Sequence, residues 1–147
     1  MIPDSQRYHF LSAVHLFLWR DGLVLLSRRF NTGYEDGNYS VPAGHLDGNE
    51  TVIAAAVREA EEEVGAVIAP EDIEVVGVMH RRIGKQERID FFVSVRRWSG
   101  EIGNREPDRC DDLRWSPPDA LPGNIIPYIR RALDNARRGK WFDTFEI

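Results

Sequence analysis

A layered α/β fold is predicted for this chain by three observations. Runs rich in strand formers recur along it, two stretches show helical spacing instead, and Asp21-Gly22 splits the first apolar run as a hairpin turn does. The strands come in runs broken by only two helices, so a regular βαβ repeat is not expected. The 147 residues, 42% of them hydrophobic, suit one domain over residues 1–147 with a single sizeable core. Seven Phe and four Trp side chains set the sequence apart from a disordered chain.

His9 to Trp19 and Leu23 to Ser27 read as paired strands, because glycine at position 22 supplies positive φ cheaply. Asn31 to Asn38 is a polar, glycine-containing loop leading into a short strand, Tyr39-Ser40-Val41. Pro42-Ala43-Gly44 is expected to stop that strand, since proline cannot donate a ladder hydrogen bond. Thr51 to Val64 is the clearest helix, dense in Ala, Glu and Val, lacking Gly and Pro, and ended by Gly65. Ile73 to His80 and Arg88 to Trp98 form two more strands, and Asp111 to Trp115 a short one before Pro117-Pro118. Ile129, Leu133 and Ala136 recur at helical spacing, giving a C-terminal helix with Arg130, Arg131, Arg137 and Arg138 on its other face.

The charge balance narrows the partners. With 19 Lys plus Arg against 24 Asp plus Glu, the formal net charge is −5. A duplex-binding module is expected to be basic, so nucleic-acid polymers are not expected partners. No apolar run approaches the roughly 20 residues of a bilayer span, and Met1-Ile2-Pro3-Asp4-Ser5 does not open a secretory signal. Cys110 stands alone, which excludes an intrachain disulfide and a Cys-rich zinc site. The expectation is a soluble, cytoplasmic protein acting as monomer or homodimer.

Most of the chemical information lies between Gly44 and Ala66. On a helical wheel Ile53, Val57, Ala60 and Val64 share one stripe, the expected core face. Glu59, Glu62 and Glu63 stand at i, i+3 and i+4 and so form a second cluster, while Glu61 points elsewhere. Carboxylates about 4 Å apart repel by roughly 4 kcal/mol per pair at an effective dielectric of 20, less where water screens them. Arg58 alone does not neutralise three acids; a hard divalent cation such as Mg²⁺ does. A glutamate-rich helix face is also commonly just solvated, and the spacing leaves both readings open. The preceding Pro42-Ala43-Gly44 loop, with Gly48 near the helix start, is suited to turning backbone groups towards a phosphate–metal complex.

This segment resembles the Nudix box, G-x5-E-x7-R-E-U-x-E-E-x-G-U with U a bulky aliphatic. Gly44, Glu50, Arg58, Glu59, Glu62, Glu63 and Gly65 fall in register at all seven fixed positions, while both U positions hold alanine, Ala60 and Ala66. The resemblance implies an α/β/α sandwich with a mixed sheet between helices, and a hydrolase of nucleoside diphosphates linked to another moiety. It implies Mg²⁺, or Mn²⁺, bound by Glu59, Glu62 and Glu63 with the Ala43 carbonyl. Glu59 or a carboxylate outside the box would help deprotonate the attacking water, and Arg58 and Glu50 would orient the carboxylates. Beyond the box the chain looks most like the MutT-type branch, which acts on nucleoside triphosphates. By that likeness Arg29 and the Gly44 loop would bind substrate, Glu106 would add a metal ligand, and Asn124 would meet the base. Alternatives are an ADP-ribose or nucleotide-sugar pyrophosphatase and, from another class, a non-catalytic nucleotide-sensing module on the same fold.

Other residues take plainer readings. Arg81, Arg82, Lys85 and Arg88 form a basic run read as a solvated hairpin loop, with an anionic-substrate clamp as the alternative. Tyr34, Tyr39, Trp98 and Trp115 are read as core, with base stacking as the alternative. His45 is read as an ordinary loop histidine, His9, His15 and His80 as structural, and Cys110 as a small core or surface residue.

Overall fold

The computed structural model describes all 147 residues. The Asp21-Gly22 turn joins β1 (Leu11–Arg20) to β2 (Leu23–Arg29), with both turn residues at positive φ. Next come β3 (Tyr39–Ser40), β4 (Ala43–His45) and helix α1 (Val52–Val64). Then follow β5 (Ile73–Ile83), β6 (Gln86–Val95), β7 (Cys110–Ser116), helix α2 (Pro127–Arg137) and β8 (Phe142–Glu146). The eight strands form one mixed sheet along the path β3-β2-β1-β6-β5-β8, with β4 paired to β1 and β7 to β2.

Each helix covers one face. On one side Ala55, Ala56, Ala60 and Val64 of α1 pack with Val14, Leu16, Leu18, Val93 and Val95. On the other, Tyr128, Ile129, Ala132 and Leu133 of α2 pack with Phe17, Met79 and Phe92. Strand alternation explains the split, since odd residues of β1 face α2 and even ones face α1. The result is the expected α/β/α sandwich.

Two strands go beyond the sequence reading. Pro42 ends β3, but the chain resumes at once as β4, antiparallel to β1 with Ala43 opposite His15. At the other edge β8 adds parallel to β5, placing Phe142 beside Val78. The alternation of that five-residue segment becomes visible only once a strand edge exists to receive it. The basic run is also placed differently. β5 continues to Ile83 and β6 begins at Gln86, so Arg81, Arg82 and Arg88 lie in strands rather than in a solvated loop.

Between β1 and β2 only the residue pairs nearest the turn remain in register, Trp19 with Val24 and Arg20 with Leu23. Beyond them β1 turns to β4 and β2 to β3 and β7, so the sheet splays. The cleft left by that splay holds the site described below.

Asp143 ties β8 to α2. It accepts from Asn135 Nδ2 at 2.8 Å, from the Thr144 N–H at 2.9 Å and from Arg131 at 3.3 Å. Burial opposes its charge, but these donors hold its carboxyl down at about 2. A folded value below the unfolded one gives stability that is present above the unfolded pKa and lost as pH falls. The melting temperature is therefore expected to drop between about pH 4 and pH 2, and less steeply in Asp143→Asn. Parallel acid profiles for the two proteins would remove Asp143 from this account.

Candidate active site

A cavity of about 370 Å³ opens where the sheet splays. Its wall includes Ala43, Gly44, Glu63 and Glu106 on one part, and Arg28, Arg29, Arg88 and Arg109 elsewhere. Helix α1 delivers the acids. Thr51 caps it by accepting from the Ala54 N–H at 3.0 Å, and Gly65 ends it in the left-handed region at φ 75°.

The core face of α1 is rotated from the stripe read off the wheel. Ala55, Ala56, Glu59, Ala60 and Val64 are buried, whereas Ile53 and Val57 are only half-buried. The alanines let the helix approach the sheet closely, which carries Glu59 inwards with them. Gly44 completes the fit. A Cβ on this residue would stand 2.0 Å from Glu59 Cδ, so only glycine leaves room for the carboxylate. Because a glutamate tip moves easily, Gly44→Ala is expected to keep its fold while displacing Glu59. Turnover should fall about 10- to 100-fold with little change in melting temperature. Wild-type turnover in a folded Gly44→Ala protein would show that the close approach is incidental.

Glu63 accepts from the Ala43 N–H at 3.1 Å. Burial and the neighbouring Glu59 charge push its carboxyl well above the usual range. Burial likewise raises Glu59, against the opposing pull of Arg58. The loop leading to β7 is stitched to the end of α1 by the Gly103 N–H on the Val64 carbonyl and the Arg105 N–H on the Glu63 carbonyl, both 3.0 Å. This brings Glu106 to the same cavity, close enough to raise both Glu59 and Glu63.

Arg58 gathers the remaining acids. Its Nε and Nη2 donate to Glu50 at 3.1 and 2.7 Å, and its Nη1 to Glu59 at 2.7 Å and Glu62 at 3.4 Å. Glu62 is exposed at the rim, so the expected triple cluster is a desolvated pair, Glu59 and Glu63, with Glu62 drawn outwards. No three His, Cys, Asp or Glu side chains converge on one point in this arrangement. The donor set nonetheless fits a divalent cation, because Glu63 and Glu106 bring hard carboxylate oxygens to the cavity and form no ion pair with a basic side chain.

Arg29 lines the cavity, with Nε donating to the Tyr34 carbonyl at 2.6 Å and Nη2 to Thr32 Oγ1 at 3.0 Å. Asn124 is not brought there. Its Nδ2 donates to the Gly37 carbonyl at 2.9 Å and so braces the 31–38 loop. His45 lies on β4 rather than in a loop and meets Arg88 Nη1 at 3.1 Å. Tyr34 is exposed at the cavity, whereas Tyr39 is buried, and Trp98 and Trp115 pack beside the α1 core.

Sequence reasoning missed a buried trio. Asp90 accepts from Arg81 Nε at 2.8 Å and from His15 Nε2 at 3.1 Å, and His15 and Arg81 both line the cavity. The available signal was one charged residue in the apolar run Ile89-Asp90-Phe91-Phe92-Val93, on the same strand face as Phe92.

The NUDIX domain model matches residues 9–142. The chain belongs to the NUDIX hydrolase family. An RNA pyrophosphohydrolase of Erythrobacter litoralis is 30% identical over 132 residues, covering 76% of this chain and 77% of that protein. An uncharacterized Nudix hydrolase, NudL, of Escherichia fergusonii is 46% identical over 59 residues, covering 40% of this chain. The chain spans 30% of that relative's length. Among solved structures, a MutT NUDIX hydrolase from Burkholderia pseudomallei superposes with a TM-score of 0.79 at 28% identity, covering 86% of this chain and 98% of the other. In the NUDIX frame, Gly44, Glu50, Arg58, Glu59, Glu62, Glu63 and Gly65 are the box residues whose contacts are given above.

Proposed function

We propose that this NUDIX protein hydrolyses the pyrophosphate bond of a nucleoside triphosphate, or of another nucleoside diphosphate linked to a second group. One observation carries the reading. The same cavity is lined by the desolvated Glu63 and by Glu106, with the desolvated Glu59 packed against its Gly44 wall, and by three arginines, Arg29, Arg88 and Arg109, that pair with no carboxylate. These opposite charges do not neutralise one another, and a cation–polyphosphate complex satisfies both sets.

Glu59, Glu62, Glu63, Glu106 and the Ala43 carbonyl would hold Mg²⁺, with Mn²⁺ as the alternative ion. Such an ion, when bound, lowers the pKa of a coordinated water and offsets charge on the phosphate oxygens. Arg58, held on Glu50, fixes the Glu59 carboxylate from outside the cavity. A carboxylate whose pKa is raised by burial accepts a proton more readily, which suits Glu59 as the base for the attacking water. Arg29, braced by the Tyr34 carbonyl and Thr32, is placed to meet a phosphate oxygen. The setting we assign is the cytoplasm, where a lone thiol such as Cys110 stays reduced.

The test is phosphate release, with coupled pyrophosphatase or phosphatase, over nucleoside triphosphates, ADP-ribose, nucleotide sugars and 5′-triphosphorylated RNA. RNA belongs in the panel because one relative is an RNA pyrophosphohydrolase. Turnover that needs Mg²⁺ or Mn²⁺ supports the proposal. Tight binding of one compound with hydrolysis of none would favour a sensing module instead.

A further inference from the structure

The cavity has a second polar group, away from the carboxylate pair. His15, Arg81 and Asp90 are 3%, 3% and 0% exposed. They come from three neighbouring strands, β1, β5 and β6, on the sheet face covered by α2. Both Asp90 oxygens are taken, one by Arg81 Nε and the other by His15 Nε2. Because a carboxylate only accepts, Nε2 is the protonated nitrogen of His15, and its buried Nδ1 is left without a partner.

Arg81 is fixed from every side but one. Its guanidinium carbon lies 3.7 Å from the Tyr128 ring centroid, and its Nη1 donates to the Tyr34 hydroxyl at 3.4 Å. Its Nη2 has no partner, and the residue lines the cavity. Packing gives no reason for this arrangement, since a buried ion pair contributes little net stability over apolar side chains of the same volume.

We propose that Arg81 reads the base of the bound nucleotide and selects one that presents a ring carbonyl to it. This rests on the nucleotide-hydrolase reading above. A guanidinium offers only donors, so it matches an acceptor edge and leaves an amino group facing a like partner. Its charge is already balanced by Asp90, so a neutral carbonyl suits it without a further phosphate. The exposed ring of Tyr34, beside both Arg29 and Arg81, supplies an aromatic surface for a planar base next to the phosphate-binding arginine. Hypoxanthine, guanine and uracil present such a carbonyl; unsubstituted purine and adenine do not.

The experiment compares inosine triphosphate with purine riboside triphosphate, which lacks the ring carbonyl, on the wild-type protein. The expected result is a 10- to 100-fold higher kcat/KM for the inosine compound, expressed mainly in KM. In Arg81→Lys, which keeps a charge beside Asp90 but loses the planar fork, that ratio should fall below about threefold. A purely structural role would change both rates together and leave the ratio intact. Equal rates for the pair on the wild-type protein overturn the proposal, whether or not the variant folds. If neither compound nor any other triphosphate is hydrolysed, the reaction assignment fails. Calorimetric binding of the same pair then decides the role of Arg81 on its own, equal affinities overturning it.

Discussion

Glu63→Gln is expected to lower kcat by about 10²- to 10³-fold while leaving the folded protein at least as stable as the parent. The two effects have one cause. Glu63 is held at the cavity by the Ala43 N–H, and burial together with the Glu59 charge makes its ionised form costly. That cost is useful only if a cation offsets it, and glutamine supplies neither the charge nor the need for one. A carboxyl whose folded pKa is raised destabilises the fold as pH climbs from the unfolded value of about 4.5 through the folded one. Near pH 7 in chelator, the variant should therefore melt at or above the wild-type temperature. Added Mg²⁺ should raise the wild-type melting temperature and move the variant's much less. Turnover by Glu63→Gln at the wild-type rate would remove the carboxylate pair from the chemistry.

The second large effect concerns folding. Asp90→Ala is expected to destabilise the protein by about 3–5 kcal/mol, because it leaves the Arg81 charge buried with no counter-ion. In a chain of this size that is a fall on the order of 10 °C in melting temperature. Burial raises the Asp90 carboxyl, but His15 and Arg81 outweigh it and hold it down at about 2, so the pair is charged throughout the neutral range. Replacing Asp90 and Arg81 together by leucine should recover much of the loss, since an apolar pair carries no desolvation cost. Denaturant unfolding of the two single variants and the double variant measures this directly. A loss below about 1 kcal/mol in Asp90→Ala would mean that water reaches Arg81 and the trio is not a buried ionic unit.

The fold was legible where local signals were strong. Thr51 and Gly65 mark the ends of α1 by capping chemistry, and Asp21-Gly22 marks its hairpin. Both act within a few residues, so the sequence displays them. β4 and β8 were not legible, because three- and five-residue segments depend on a neighbouring strand edge. The face of α1 was misjudged for a related reason. Hydrophobicity favoured Ile53 and Val57, but close approach to the sheet favoured the smaller Ala55 and Ala56 and drew Glu59 inwards.

The spacing of Gly44, Glu50, Arg58, Glu59, Glu62 and Glu63 by itself set an acidic helix after a glycine-bearing turn, and its resemblance to the Nudix box, not the helix chemistry, implied the family and the kind of bond attacked. Tertiary structure alone decided which acids are desolvated together. It set Glu59 beneath Gly44, sent Glu62 out to Arg58, brought Glu106 in from a distant loop and kept Asn124 away. It also buried Arg81, which the sequence presents as one more surface charge. The physical reason is range. Capping, turns and periodicity operate over a few residues of chain, whereas desolvation and charge pairing depend on groups that meet only when the strands are laid side by side.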